Sequence, residues 1–208
     1  YIAGEKYELA AFRTDSGGFS GLITPPITNF TVTSGTISEE DGRVYWTPMT
    51  MGSHAITVDD SGIISSATVT VQHGLAIDTR VVMTPHKLAV GQQSTVVVQA
   101  FDSAGNLWNV NGTIEVLIGN ESALSSQGDY YTLVPNAVGA YAVRGTWFDN
   151  ASGVLFDSQL IEQVGFGALA KIELDGQGLK IPIDQPFDLN PRFFDSYGNQ
   201  LNDIYVNW

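Results

Sequence analysis

Two pentapeptides carry the side chains best suited to chemistry. They are Asp102-Ser103-Ala104-Gly105-Asn106 and Asp195-Ser196-Tyr197-Gly198-Asn199, each directly behind a phenylalanine. An Asp and an Asn four residues apart, Asp102 with Asn106 or Asp195 with Asn199, present oxygen donors, which is calcium chemistry. A calcium ion takes about six to eight oxygens, and each pentapeptide offers about two or three. Asp59 and Asp60 are the candidates to complete the set at a junction between modules, and Asp149-Asn150 hold the same place later in the chain. The same residue types also make a tight turn without any metal. Asp accepts backbone N–H groups ahead of it, Gly supplies positive φ, and Asn tolerates left-handed backbone.

Other reactive types are sparse. Cysteine is absent, which removes disulfides, thiol catalysis and Cys-ligated metals together. His54, His73 and His86 fall in unrelated segments without a metal-binding spacing, and His54 reads as the outward face of a strand. No Gly-x-Ser-x-Gly elbow, phosphate loop or dinucleotide fingerprint occurs. Glu39-Glu40-Asp41-Gly42 reads as a solvated hairpin turn. The expectation is therefore a protein that is not an enzyme. Trp108, Tyr130 and Tyr131 are candidates for stacking on sugar rings. Asn29, Asn111, Asn120 and Asn150 each open an Asn-x-Ser/Thr glycosylation pattern. Lys6, Lys87, Lys171 and Lys180 occupy no repeated position, which argues against a Lys–Asn crosslink.

The elements that must hold these groups are strands. Gly and Pro punctuate the chain, and period-2 alternation recurs in Arg43–Trp46, His54–Val58, Ala67–Val71, Thr95–Phe101, Thr113–Ile118 and Ala140–Arg144. Such short strands with turns between them predict an all-β fold of antiparallel sandwiches. The segments also repeat. Phe194 follows Phe101 by 93 residues, and Phe12 of a looser copy precedes it by 89. Gly74 and Gly167 are 93 apart, while Pro48 and Pro135, like Gly52 and Gly139, are 87 apart. A period near 90 is the size of one small sandwich. The expected modules are residues 1–74, lacking a first strand; 75–167, complete; and 168–208, the N-terminal part of a third. Junctions this short predict a semi-rigid rod.

The strands leading into the two pentapeptides resemble one strand end of the prokaryotic immunoglobulin-like modules of the invasin/intimin type. So does the pattern Ser34-Gly35-Thr36-Ile37 followed by Gly42-Arg43-Val44-Tyr45-Trp46-Thr47-Pro48 and Gly52-Ser53-His54-Ala55-Ile56-Thr57-Val58. The resemblance implies tandem immunoglobulin-like sandwiches in an extracellular stalk, adhesin or surface-layer protein. It carries over no catalytic residue. Its partners would be neighbouring modules of the same or an adjacent chain, or a glycan or surface protein. A carbohydrate- or protein-binding immunoglobulin-like module, standing alone or accessory to an enzyme, is the alternative. With 22 acidic and 9 basic residues, net charge −13, the chain repels nucleic-acid phosphates. No apolar stretch reaches membrane-spanning length. The start on Tyr1 and the partial third module read as a slice of a longer protein, or as a unit completed by strand donation from a neighbour.

Overall fold

The computed structural model describes residues 1–174, 190–202 and 204. It is all-β; among the described residues the helical turns are two three-residue 3₁₀ turns, Ile27–Asn29 and Glu121–Ala123. Of the expected third module, 168–208, residues 175–189, 203 and 205–208, with Lys180 among them, lie outside the described residues. No helix among the described residues is long and apolar enough to cross a membrane.

Compactness divides the chain into two units. The first holds Tyr1–Thr79, Ala100–Asn109 and Asp149–Val154; the second holds Arg80–Gln99, Val110–Phe148 and the chain from Leu155 onward. This division does not fall at 74/75 and 167/168. It groups the Asp102 pentapeptide with the residues it touches.

In the first unit the strands are β1 (Tyr7–Leu9), β2 (Ala11–Thr14), β3 (Ser20–Ile23), β4 (Phe30–Val32), β5 (Thr36–Glu40), β6 (Arg43–Thr47), β7 (Gly52–Asp60) and β8 (Ile63–Val71). One sheet has the order β1-β6-β5 and another β4-β7-β8, with β2-β3 as a separate hairpin. Ile2 bridges Gln72 in parallel. Two-residue turns close the hairpins. Asp41 and Gly42 have φ of 51° and 73°, and Ser61 and Gly62 have 56° and 88°. That double positive φ is the turn whose twist matches paired strands, so Glu39–Gly42 is the hairpin its sequence suggests. Trp46 is fully buried and donates its indole N–H to Ser34 O at 2.7 Å.

The following strands are β9 (Ala76–Thr84), β10 (Leu88–Ala89), β11 (Ser94–Asp102), β12 (Leu107–Val110), β13 (Thr113–Ile118), β14 (Leu124–Ser126), β15 (Tyr131–Leu133), β16 (Gly139–Asp149) and β17 (Val154–Gly165). They form one sheet of order β10-β17-β16-β13 and another of order β12-β11-β15-β14, to which β9 adds through β11. The short β10 pairs β17 in parallel. In the second unit Val96, Val98, Leu133, Tyr141 and Val143 form the centre of the core. Last come β18 (Leu169–Leu174), β19 (Pro191–Asp195) and β20 (Gln200–Leu201), in the order β18-β19-β20.

The same hydrogen bonds return at the sequence offsets. Gly4 N–H donates to Pro48 O, and Gly91 N–H to Pro135 O, both at 2.7 Å. Ala3 N–H donates to Gln72 O, and Val90 N–H to Gly165 O. The sheet β5-β6-β1 therefore matches β14-β15-β11, and β4-β7-β8 matches β13-β16-β17. The strand β9 has no counterpart beside β1 among the described residues.

Candidate functional site

The site begins with a strand pattern that ends in the wrong residue type for a core. Along β11 every second side chain is buried: Ser94, Val96, Val98, Ala100 and then Asp102. The inward face thus delivers a carboxylate, only 1% exposed, to the end of the sandwich. A buried charge must be matched by hydrogen bonds or it destabilises the fold. Four N–H groups converge on Asp102. Ala104 and Asn106 backbone N–H donate to Oδ1 at 3.0 and 2.9 Å, and Gly74 N–H donates to Oδ2 at 2.7 Å. Asn106 Nδ2 spans both oxygens at 3.1 and 3.0 Å.

Burial, the largest single influence, pushes the Asp102 carboxyl up. The bonds from Gly74, Asn106 and Ala104 together outweigh it and hold the carboxyl below its usual range. Asn106, itself nearly buried, extends the network. Its Nδ2 donates to Met49 O and its Oδ1 accepts Met51 N–H, both at 3.0 Å. One acid and one amide therefore tie three segments: the turn itself, the loop behind β6, and Gly74 behind β8.

Asp195 repeats the arrangement. Tyr197 and Asn199 N–H donate to Oδ1 at 2.9 Å each, Gly167 N–H donates to Oδ2 at 3.2 Å, and Asn199 Nδ2 spans both oxygens. Burial again raises this carboxyl, and the bonds from Asn199, Gly167 and Tyr197 bring it below normal. Gly74 and Gly167 are needed for close approach. A Cβ on Gly74 would lie 3.2 Å from Ala3 O and 3.4 Å from Asp102 Cβ; on Gly167 it would lie 3.2 Å from Val90 O and 3.3 Å from Asp195 Cβ.

A third copy of the turn lies in β2-β3, and it corrects the sequence alignment. The matching acid is Asp15, 87 residues before Asp102, so Thr14 rather than Phe12 holds the place of Phe101. Gly17 and Phe19 N–H donate to Asp15 Oδ1 at 2.8 and 3.0 Å, the same two positions along the chain as in the other copies. Gly18, Gly105 and Gly198 have φ of 85°, 84° and 83°. Here Phe19, 80% exposed, replaces the Asn, and Asp15 is exposed as well.

The carboxylate oxygens of Asp102 and Asp195, candidates for calcium, thus each accept N–H groups. An ion at Asp102 and Asn106, or at Asp195 and Asn199, would have to displace N–H donors from every carboxylate oxygen. Asp59 and Asp60 stand elsewhere, at the β7-β8 hairpin. Asp59 accepts Gly62 N–H at 2.8 Å, and Asp60 lies 3.6 Å from Arg13. The nine residues of β8 separate this hairpin from Val71, which puts it roughly 30 Å from the Gly74 end. No group of three or more His, Asp or Glu placed to hold a metal occurs among the described residues.

Asp149 does reach the Gly74 end. It accepts Ala151 N–H at 3.0 Å and the Ser152 hydroxyl at 2.7 Å. The Ser152 bond, chiefly, lowers its carboxyl against the opposing effect of burial, and the charge of His73 adds to the lowering. His73 donates Nδ1–H to Gly74 O at 2.8 Å and stacks on Trp108 at 3.7 Å and 8°. One face of Trp108 is therefore taken. Tyr131 packs against the core of the second unit, and Tyr130 is 43% exposed.

His54 is buried at 8% and contacts Thr50 O through Nε2 at 2.8 Å, contrary to its outward reading. It takes the place of the buried Tyr141, 87 residues on. Asn111 and Asn150 are exposed and Asn29 is half-buried. Asn120 caps the turn Glu121–Ala123 by accepting Ser122 N–H.

The strand order, with two antiparallel sheets and a short parallel strand at one edge, defines an all-β protein of immunoglobulin-like topology. Solved structures of similar fold include the Escherichia coli adhesin FdeC, at 15% identity over 95% of this chain and 71% of that one, with a TM-score of 0.48. Domains 5-6 of the S-layer protein SbsC share 17% identity over 80% of this chain and 92% of that one, TM-score 0.35. A tandem pair of titin Ig domains shares 13% over 80% and 92%, TM-score 0.32. At these identities the likeness concerns fold alone. No family model matches the sequence, and no curated protein does.

Proposed function

We propose that the chain is a non-enzymatic structural segment of a large extracellular surface protein, a stalk, surface-layer or filament component. Its tandem modules, residues 1–74, 75–167 and the start of a third at 168–208, are joined into a semi-rigid rod. The observation that carries this reading is the repeated clasp. Gly74 N–H meets Asp102 Oδ2, and Gly167 N–H meets Asp195 Oδ2, each pair 28 residues apart. Gly74 and Gly167 are the last residues of the proposed modules 1–74 and 75–167. A buried, fully bonded carboxylate resists bending there better than a free linker does. The rod needs no calcium in this account. Placement at the cell surface would leave Asn111 and Asn150 accessible to glycosylation.

The test is small-angle scattering of the whole chain and of an Asp102→Ala, Asp195→Ala double variant. Loosened junctions should broaden the distance distribution while circular dichroism stays β-rich. Identical scattering curves would remove the clasp from any role in stiffness.

A further inference from the structure

The strand β8 ends its sheet, and its outer edge is open. The turn Ser61-Gly62 joins it to β7, with Asp60 opposite Ile63 as the closing pair. In a two-residue hairpin that pair exchanges its N–H and C=O groups, and every second pair repeats the exchange. Ile63, Ser65, Ala67 and Val69 therefore direct their backbone groups to β7, while Ile64, Ser66, Thr68 and Thr70 direct theirs to the open side. All four are exposed, Ile64 by 68%. Beyond Thr70 the edge is taken: Gln72 N–H donates to Tyr1 O and Ala3 N–H to Gln72 O, both at 2.9 Å. The opening belongs to the repeat itself. In the later copy β9 pairs β11 rather than β17, and β10 pairs Val164 and Gly165 of β17, which match Val71 and Gln72. What sets β8 apart is composition. Its nine residues include neither a charge nor a proline, the devices that keep edges from pairing. Among the described residues, the other strands of five or more residues at sheet ends all carry charge: β5 has Glu39, β9 has Asp78, β13 has Glu115 and β18 has Glu173. Its counterpart β17 has Asp157. At net charge −13, two copies of the chain repel each other over most of their surface. The edge of β8 is the long one where that repulsion is least.

We propose that β8 pairs antiparallel with β8 of a second copy of the chain, across a two-fold axis at Ser66. Such an interface brings one surface against itself, so the strand must suit its own sequence. Its outward hydroxyls do. Ser66 already meets the Thr57 hydroxyl of β7 at 2.8 Å, the kind of cross-strand contact that the partner's Ser66 would repeat. The register follows from the occupied end. With Ser66 opposite the partner's Ser66, Ile64 faces the partner's Thr68 and Thr68 faces the partner's Ile64, and each of these pairs exchanges its free N–H and C=O groups. Centring the pair on Ala67 instead would set the partner's Gly62 opposite Gln72, where Ile2 already sits. The nearest acids, Asp59 and Asp60, stand on β7, one strand behind the edge, and Asp60 faces Arg13 at 3.6 Å. The contact is lateral. It does not depend on the stalk reading, since it rests on the edge of one strand.

Sedimentation equilibrium of the whole chain tests the pairing, with circular dichroism as the fold check. A monomer–dimer equilibrium is expected, with dimer prevailing at about 1 mM chain and tightening as salt rises from about 0.05 to about 0.5 M, which screens the two acidic copies from each other. Thr68→Pro removes an edge-facing N–H and spares the bonds to β7, so it should weaken the dimer at least about tenfold. Thr68→Glu, a like charge at the same edge, should do the same without touching the backbone. The chain has no cysteine. Ser66→Cys, on the two-fold axis, should therefore form a disulfide-linked dimer with oxidised glutathione much faster than Ser53→Cys on β7. A chain that stays monomeric at about 1 mM and about 0.5 M salt overturns the proposal. A dimer that neither Thr68 variant weakens uses another surface and overturns it too. Ser66→Cys that links no faster than Ser53→Cys rejects the pairing at Ser66.

Discussion

Replacing Asp102 by alanine separates the clasp from an ordinary turn. The substitution leaves the backbone N–H groups of Gly74, Ala104 and Asn106 without their acceptor, and Asn106 Nδ2 without two of its contacts. A hydrogen bond to a charged acceptor contributes about 1.5–3 kcal/mol. These bonds share one carboxylate and do not add, and water can reach the exposed part of the loop. The expected loss is therefore about 3–5 kcal/mol. Asp15→Ala is the internal control. Asp15 supports the same turn but is exposed and accepts only the Gly17 and Phe19 N–H groups in the bonds that define it, so its loss should stay below about 1.5 kcal/mol. Urea unfolding, analysed by linear extrapolation, measures both. Equal losses for the two variants would refute the reasoning, because the extra cost must come from Gly74 and Asn106. Asp102→Asn should fall between them: it keeps the shape but sets an amide N–H against the donors that faced the carboxylate.

The remaining predictions concern the same network and its surroundings. Asn106→Ala should cost about 1–3 kcal/mol through the lost bridge to Met49 and Met51, measured by the same unfolding curves. Trp46→Ala should cost about 3–5 kcal/mol, since it empties a fully buried site and frees the Ser34 carbonyl. Asp102, Asp149 and Asp195 all titrate below their usual value, so their stabilisation is complete above the unfolded value near 3.8 and fades as pH falls through the folded ones. Thermal stability should hold from neutral pH down to about 5 and drop below about 4; a steep loss between pH 7 and 5 would point to other groups. Melting in EDTA and in excess calcium should coincide. A calcium-dependent rise that vanishes in Asp102→Asn would instead assign calcium to Asp102 and Asn106.

Much of the fold is written in local pattern. Alternation in Thr95–Phe101 and Arg43–Trp46 marks strands because one face must be apolar and the other wet. The clasp was half legible. Asp, Gly and Asn at fixed spacing announce the turn, but nothing local announces that Asp Oδ2 faces Gly74, 28 residues earlier. Matching the copies by their aromatics displaces the first one by two residues, because Phe12 is the conspicuous side chain there, whereas Asp15 does the bonding. His54 was legible in principle. Period 2 puts it on the face of Ile56 and Val58, and that face is the core. Its imidazole is tolerated there because it finds a carbonyl, as the hydroxyl of Tyr141 finds Asn136 at the matching place. The pairing of Trp108 with His73 had no signal at all, since their contact depends on how two turns meet.

Amide hydrogen exchange at Gly74 and Gly167 tests the clasp most directly. Neither N–H belongs to a named strand, so each owes any protection to a carboxylate. Both should exchange slowly in the native chain, and Asp102→Ala should release Gly74 while leaving Gly167 protected. Exchange of Gly74 at loop rates in the native chain would contradict the account.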